Sequence, residues 1–516
     1  MGSNAGLSPR KIVSMTQRTD LSPDLSRRQA LQWFAGMAAL VSAPLSALAR
    51  AQTTTEGPLP ATAPAWRALS RLGYGPSPTS LRSLEAAPSA SAWALQQLDA
   101  AQHASQQPPS LSADAAAFNQ PLPAIFEGVK REREARAKIK ADPALVTDDR
   151  DEINFSRNMA RQAVAWRLSS CSDAAQDPPL LARMTEFWFN HLNVYVGKGT
   201  VRPFVGHYVV NVARAHALGK FEDLLLASAR HPAMLYYLDQ VQSVADGTVG
   251  PKGNARGLNE NYARELMELH TLGVDGGYTQ TDVREMARVL TGWTVDPKNA
   301  TGFRFAARQH DRSEKTVMGR TFPTGILRSG EAEGDDAIRL LARHPQTAHR
   351  ISLRLAQFFV ADQPPPVLVE ALTQRFLASQ GDISQVMREL LASPDFWRTE
   401  NRLFKTPMDY ACSALTATQG GSDARQLLLS AQFLAGAGQP MHGWQTPDGY
   451  SVDAATWLAP EALTRRADFA MALAKDSGDM DFLTPFMSPA TLNAIERARP
   501  ELRHGLMLAS PDFMYK

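Results

Sequence analysis

Apolar residues recur at three- and four-residue spacing along most of the chain, and this period limits the fold more than any other feature. It runs from Ile153 to Val196 with one break at "QDPP" (176–179). It continues over 206–218 and 221–229, and again as helices with short connections over 334–516. Leu and Ala are abundant and β-branched runs are scarce, which favours helices over sheets. One stretch departs: "FRFAARQHDRSEKTVMGRTF" (303–322) alternates apolar and polar at its ends and reads as a small hairpin or two short strands. The expected fold class is therefore mainly α, a large multi-helix globular body with a small β-hairpin insertion.

The N-terminal segment reads as an address. "SRRQALQ" (26–32) precedes an apolar run from Trp33 to Leu48, and "ALARAQ" then offers small residues at a peptidase spacing. The pair Arg27-Arg28 resembles a twin-arginine export signal, departing from the usual pattern at Ala30 and Gln32. The run is shorter than the ~20 residues that span a bilayer. The expectation is a signal over 1–51 cleaved near Ala51, a Thr/Pro/Ala linker over 52–65, and a helical region over 66–516 with a sub-boundary near 300–330. Localisation would be periplasmic or secreted, and the processed chain would not be an integral membrane protein. Hydrophobic residues at 44%, charged residues at 21% and a net charge of +2 describe a soluble globular chain and give no basic face for nucleic acid. Cys171 and Cys412 lie far apart in no CxxC pattern, which excludes a cysteine zinc site. They read as two buried thiols, with one disulfide as the alternative in an oxidising compartment.

The chemistry concentrates in "NENYARELMELHTLGVDGGYTQTDVREMARVLTGW" (259–293). On a helical wheel Leu258, Tyr262, Leu266, Leu269 and Leu272 make an apolar arc, while Glu260, Arg264 and Glu268 form a ladder on the other side. Glu265 falls inside the apolar arc. A carboxylate there must find a partner, ionise reluctantly or bind a cation. His270 lies toward the covered side, and Asn261 sits one turn before Glu265. Thr279 and Asp282 have the spacing of a capping box that starts the next helix. In "LLARMTEFWFNHLNVYV" (180–196) His191 falls in the middle of an apolar arc. Asp239 ends "AMLYYLDQ", and His310-Asp311 open the loop of the 303–322 hairpin with Lys315 nearby.

Six segments occur in order: "LSRLGYGPSP", "FWFNHLNV", "ARAHALGKFEDLLLASARHPAMLYYLD", the 259–293 block, "HDRSEKTVMG" and "GQPMHGWQTPDGY". In these the chain resembles the bacterial domain-of-unknown-function family 1800 over residues 66–516. One departure is His270, where the family more often has Phe. The resemblance implies an exported, mostly helical protein with no established activity. It also implies an envelope setting, with an envelope saccharide or a sulfatase-like protein as partner.

Two functions are expected from these residues. The first is a cell-envelope hydrolase, acting on a saccharide or ester with Glu265, Asp239 and Asp311 as catalytic carboxylates. His191, His310 and Glu265 would be metal ligands, and a divalent metal ion the cofactor such a set would hold. The second is a non-catalytic periplasmic binding or assembly protein whose polar core only fixes helix packing. Trp444, Tyr450 and Trp457 would then offer a binding surface.

Overall fold

Proline opens many of the helices, because its missing N–H is one of the donors a first turn leaves unpaired anyway. The computed structural model describes residues 62–142, 151–249, 255–323, 330–475 and 477–516. The segment expected to be a signal (1–51) and most of the expected linker lie outside these residues. The first half contains α1 (Thr62–Arg71), α2 (Ala90–Ser105), α3 (Pro123–Ala141), α4 (Phe155–Ser172), α5 (Pro179–His191) and α6 (Phe221–Arg230). Then come α7 (Asn261–Glu265), α8 (Gln280–Val289), α9 (Gly330–Ala342) and α10 (Pro345–Phe359). The second half adds α11 (Pro366–Ala378), α12 (Ile383–Ala392), α13 (Pro407–Thr418), α14 (Ala424–Gly436), α15 (Pro460–Ala474) and α16 (Arg503–Ala509). The fold is mainly α, as its periodicity requires.

Three two-stranded antiparallel ladders are present among the described residues. β1 (Thr248–Val249) pairs antiparallel with β2 (Ala255–Arg256). The 303–322 stretch does not fold on itself as one hairpin. β3 (Trp293–Val295) pairs with β4 (Phe303–Phe305), and β5 (Lys315–Val317) with β6 (Arg320–Phe322). A tight turn at Met318-Gly319 joins β5 and β6, and the longer segment 296–302 joins β3 and β4. Phe303, Val317 and Phe322 join the same apolar cluster as Trp188, Phe221, Leu266 and Leu355.

Three helices end two residues before a proline. Arg230, Ala392 and Ala509 end their helices, and the following Pro232 and Pro394 each open a new short helix. His231 and Ser393 cap those starts by accepting backbone N–H groups from Ala233 and Asp395.

The two cysteines are not free thiols. Cys171 of α4 and Cys412 of α13 form a disulfide across a sequence separation of 241 residues. No described helix is long and apolar enough to cross a membrane.

Candidate functional site: a groove walled by α10 and a pinned loop

The site begins with α5. Its arc buries Phe187 and Trp188 in the core, which leaves Asn190 and Asn193 facing the segment 444–450. Asn190 Nδ2 donates to the Tyr450 carbonyl at 2.8 Å, and Tyr450 N–H donates to Asn190 Oδ1 at 2.7 Å. One amide side chain thus stands in for a neighbouring strand. Asn193 Nδ2 donates to the carbonyls of Trp444 and Thr446, and Tyr237 Oη donates to that of Gln445 at 2.7 Å. Gly449 makes the approach feasible. Its φ is +76°, and a Cβ there would sit 2.1 Å from the Asn190 carbonyl oxygen.

The pinned loop presents Asp448. Its Oδ1 accepts from Trp444 Nε1 at 2.7 Å and Thr446 Oγ1 at 2.6 Å, so the carboxylate is aimed rather than free to rotate. Trp444, Asp448, Tyr450 and Trp457 line one wall of a groove of about 1000 Å³, and Arg350 and Arg354 of α10 line another. The Trp444 and Tyr450 rings lie 4.8 Å apart, and Tyr450 and Trp457 6.4 Å. Arg350 donates from Nε and Nη2 to the Leu269 carbonyl. Arg354 makes no hydrogen bond or ion pair among the described residues. Burial, and then the charge of Arg350, pull its guanidinium down to about 10, and Asp448 opposes this.

Glu265 ends α7 and feels the charge of Asp448. The helix does not continue in α form past it: Leu266–His270 is a π-helical turn, a feature concentrated at functional sites. The wider turn shifts every later position. Met267 is buried, and Leu269, expected on the apolar arc, is only half-buried. Glu265 is half-buried and has no hydrogen bond or ion pair among the described residues. Burial pushes its carboxyl up, as do the charges of Glu268 and Asp448, while Arg264 opposes them. Tyr237 is pushed up by burial and by the same two carboxylates, Glu265 and Asp448. The Glu260–Arg264–Glu268 ladder forms as expected, at 3.3 and 3.4 Å. So does the Thr279–Asp282 capping box.

His191 does not reach toward a metal. Its Nε2 donates to the His270 carbonyl at 3.0 Å, satisfying an oxygen that the π-turn leaves exposed in the core. His310 belongs to another cluster. It contacts the Thr291 carbonyl through Nδ1 at 2.9 Å and faces Glu333 through Nε2 at 3.4 Å, while Lys315 pairs with Glu333 at 2.7 Å. Asp311 pairs with Arg288 at 2.8 Å. Burial would raise the Asp311 carboxyl, but hydrogen bonds from Arg288 and Ser313 overcome this and hold it well below the usual range. Asp239 pairs with Lys198 at 2.7 Å and caps a helix end with a left-handed φ of 58°. The expected metal set of His191, His310 and Glu265 is therefore not assembled. Asp479, Asp481 and His504 alone, among the described residues, bring three such ligand atoms within 4.8 Å of one another, and both aspartates are exposed.

A family model described as "Protein of unknown function (DUF1800)" matches residues 67–515. The chain belongs to the DUF1800 family. No curated protein and no solved structure matches it.

Much of the groove of this DUF1800 chain comes from segments that carry the resemblance, and it joins residues the sequence leaves unconnected. Asn190 and Asn193 flank His191 in "FWFNHLNV", and Asp448 and Gly449 form the turn of "TPDGY". The spacing of the two asparagines is a usable signal, since amides flanking a helix C-terminus suit a backbone clamp. Arg350 and Arg354 gave no such signal, because i,i+4 arginines are ordinary on a solvated helix. Of the expected catalytic carboxylates, Glu265 is not among the groove's lining residues but feels the charge of Asp448 on its wall, whereas Asp239 and Asp311 are held in ion pairs elsewhere.

Proposed function

We propose that this DUF1800 protein is an exported cell-envelope hydrolase that binds an acidic saccharide or ester in the α10–loop groove. The observation that carries the reading is Glu265. It is half-buried and unpaired, burial raises its carboxyl, and the charge of Asp448, held on the groove wall, raises it further. Two carboxyl groups in unlike surroundings are the arrangement that divides acid and base roles. Glu265 would give its proton to the leaving-group oxygen as the C–O bond breaks. Asp448 would accept a proton from the water that adds at the other end. Arg350 and Arg354 favour a ligand bearing negative charge, and Trp444 and Tyr450 offer faces for sugar rings. The Cys171–Cys412 disulfide supports an oxidising compartment, in keeping with an export signal at Arg27-Arg28. The reading needs no metal.

A panel of reducing-end-labelled acidic oligosaccharides and p-nitrophenyl esters, incubated with the purified chain, tests this. The expected result is turnover of at least one compound, reduced about 100-fold or more in Glu265→Gln with unchanged circular dichroism. Equal turnover by Glu265→Gln would overturn the assignment. A groove that binds an acidic oligosaccharide without turning it over would favour the second reading, a periplasmic binding protein. The Trp444–Tyr450–Trp457 series speaks for that reading, since aromatic faces bind sugars without chemistry.

A further inference from the structure

Behind the groove lies a second, smaller cavity of about 60 Å³. Asn190, Gln357, Phe358, Tyr450, Ser451 and Val452 line both, so they form a shared wall. Arg167, Glu186, Asp409, His442 and Lys516 border the inner cavity, and of these Arg167 and His442 have no side-chain partner. Arg167 of α4 is 4% exposed, and its guanidinium has no hydrogen bond or ion pair among the described residues. His442 is 3% exposed, and neither ring nitrogen has a partner. The His442 ring is fixed by a backbone φ of 57°, in the left-handed region that non-glycine residues rarely adopt, and by an edge contact to Phe189 at 4.7 Å.

The charge balance leaves Arg167 as a surplus. Asp409 is neutralised by Arg183 and by Lys516 at 2.6 Å, and Glu186 by Arg183 at 3.1 Å with a further hydrogen bond from Tyr74. Asp177, which also feels the charge of Arg167, is held by Arg214 at 2.7 Å, so no carboxylate bonds Arg167 directly. Burial, followed by the charge of Arg167, pulls His442 down to about 3, so the ring is neutral. Donors buried without partners are destabilising, and an anion accepting from them would offset that cost.

We propose that the inner cavity binds one small oxyanion, a carboxylate, phosphate or sulfate, held by the Arg167 guanidinium and a ring nitrogen of His442. The anion is either free or the charged substituent of a ligand lying in the groove; only the second case rests on the function proposed above.

Thermal shift and calorimetry of the full chain with inorganic phosphate, sulfate and acetate test this. The expected result is saturable binding of at least one anion, weakened about tenfold or more in Arg167→Met. His442→Asn, which tolerates the left-handed backbone, is expected to weaken it too. Should Arg167→Met fail to fold, the ring-nitrogen NMR signals of His442 in the wild type give the answer, since they shift as the anion binds. Trp444→Ala separates the sources: it leaves inorganic-anion affinity unchanged and weakens a uronic oligosaccharide if the anion arrives on a saccharide. An absence of saturable binding by all three anions overturns the site, as does binding undiminished in both variants. Inorganic anions that bind without any groove ligand or turnover sustain this site while the hydrolase reading fails.

Discussion

A single asparagine side chain substitutes for a strand at position 190, and its replacement separates positioning from chemistry. Asn190→Ala removes both hydrogen bonds to Tyr450 and leaves a donor and an acceptor of the loop backbone unpaired, a cost of about 1–3 kcal/mol. Hydrogen exchange should show faster amide exchange over residues 444–450 with little change in the core of α5. Glu265 shows how far one residue's role can be read from sequence. Its conflict with apolar neighbours is visible on a helical wheel, and so is the burial of His191 and His270. The partner of the conflict was not visible. Asp448 is 183 positions away, and only the folded chain brings its charge to bear on Glu265. The histidines show the opposite error. His191 looked like a ligand because its need for a hydrogen bond was plain, whereas the acceptor, a carbonyl freed by a π-turn, is a backbone feature that residue types do not announce.

At the scale of elements, periodicity served where helices stay in α form and failed where they do not. The arc through Tyr262 and Leu266 is buried as expected, but beyond Leu266 the π-turn inserts extra rotation, and Met267 takes the place expected for Leu269. The expected small hairpin is present as β5–β6, whereas β4 pairs back to β3 outside the expected stretch. Alternation fixes which residues can be strands, but turn geometry fixes which strands pair, and the turns fall at Asp296–Gly302 and at Met318-Gly319. The loop 444–450 is an element of this kind, whose shape depends on one residue without a side chain. Gly449→Ala combines a backbone angle unfavourable to a Cβ with a contact of 2.1 Å to the α5 backbone. The expected outcome is a displaced loop, protease sensitivity near Pro447, and loss of ligand binding in the groove while α10 is unaffected. Limited proteolysis with mass spectrometry checks it.

Across the whole molecule, buried neutral histidines set the response to acid. His191, His207, His231, His270 and His442 are all lowered, burial being the leading cause for each; His207 falls to about 4 and His270 to about 3. Unfolded histidines titrate near ~6.5. Between these values the unfolded chain holds more protons than the folded one, so stability falls as pH drops from about 6.5 toward about 4. The raised carboxyls of Glu265, Asp177 and Asp362 act in the opposite direction and are fewer. Urea titrations at pH 7 and pH 4.5 should show the lower midpoint at pH 4.5. Midpoints that rise with acid would contradict the neutral state of these rings. The disulfide acts on the same scale. Cys171→Ala with Cys412→Ala should lower stability by about 2–5 kcal/mol, read by denaturant unfolding in the absence of reductant. Because the cysteines are 241 residues apart, their bond encloses α5 through α12, the groove wall α10 included, within one covalent loop. A thiol-reactive label, added at intervals during refolding, would report when that loop closes relative to the groove inside it.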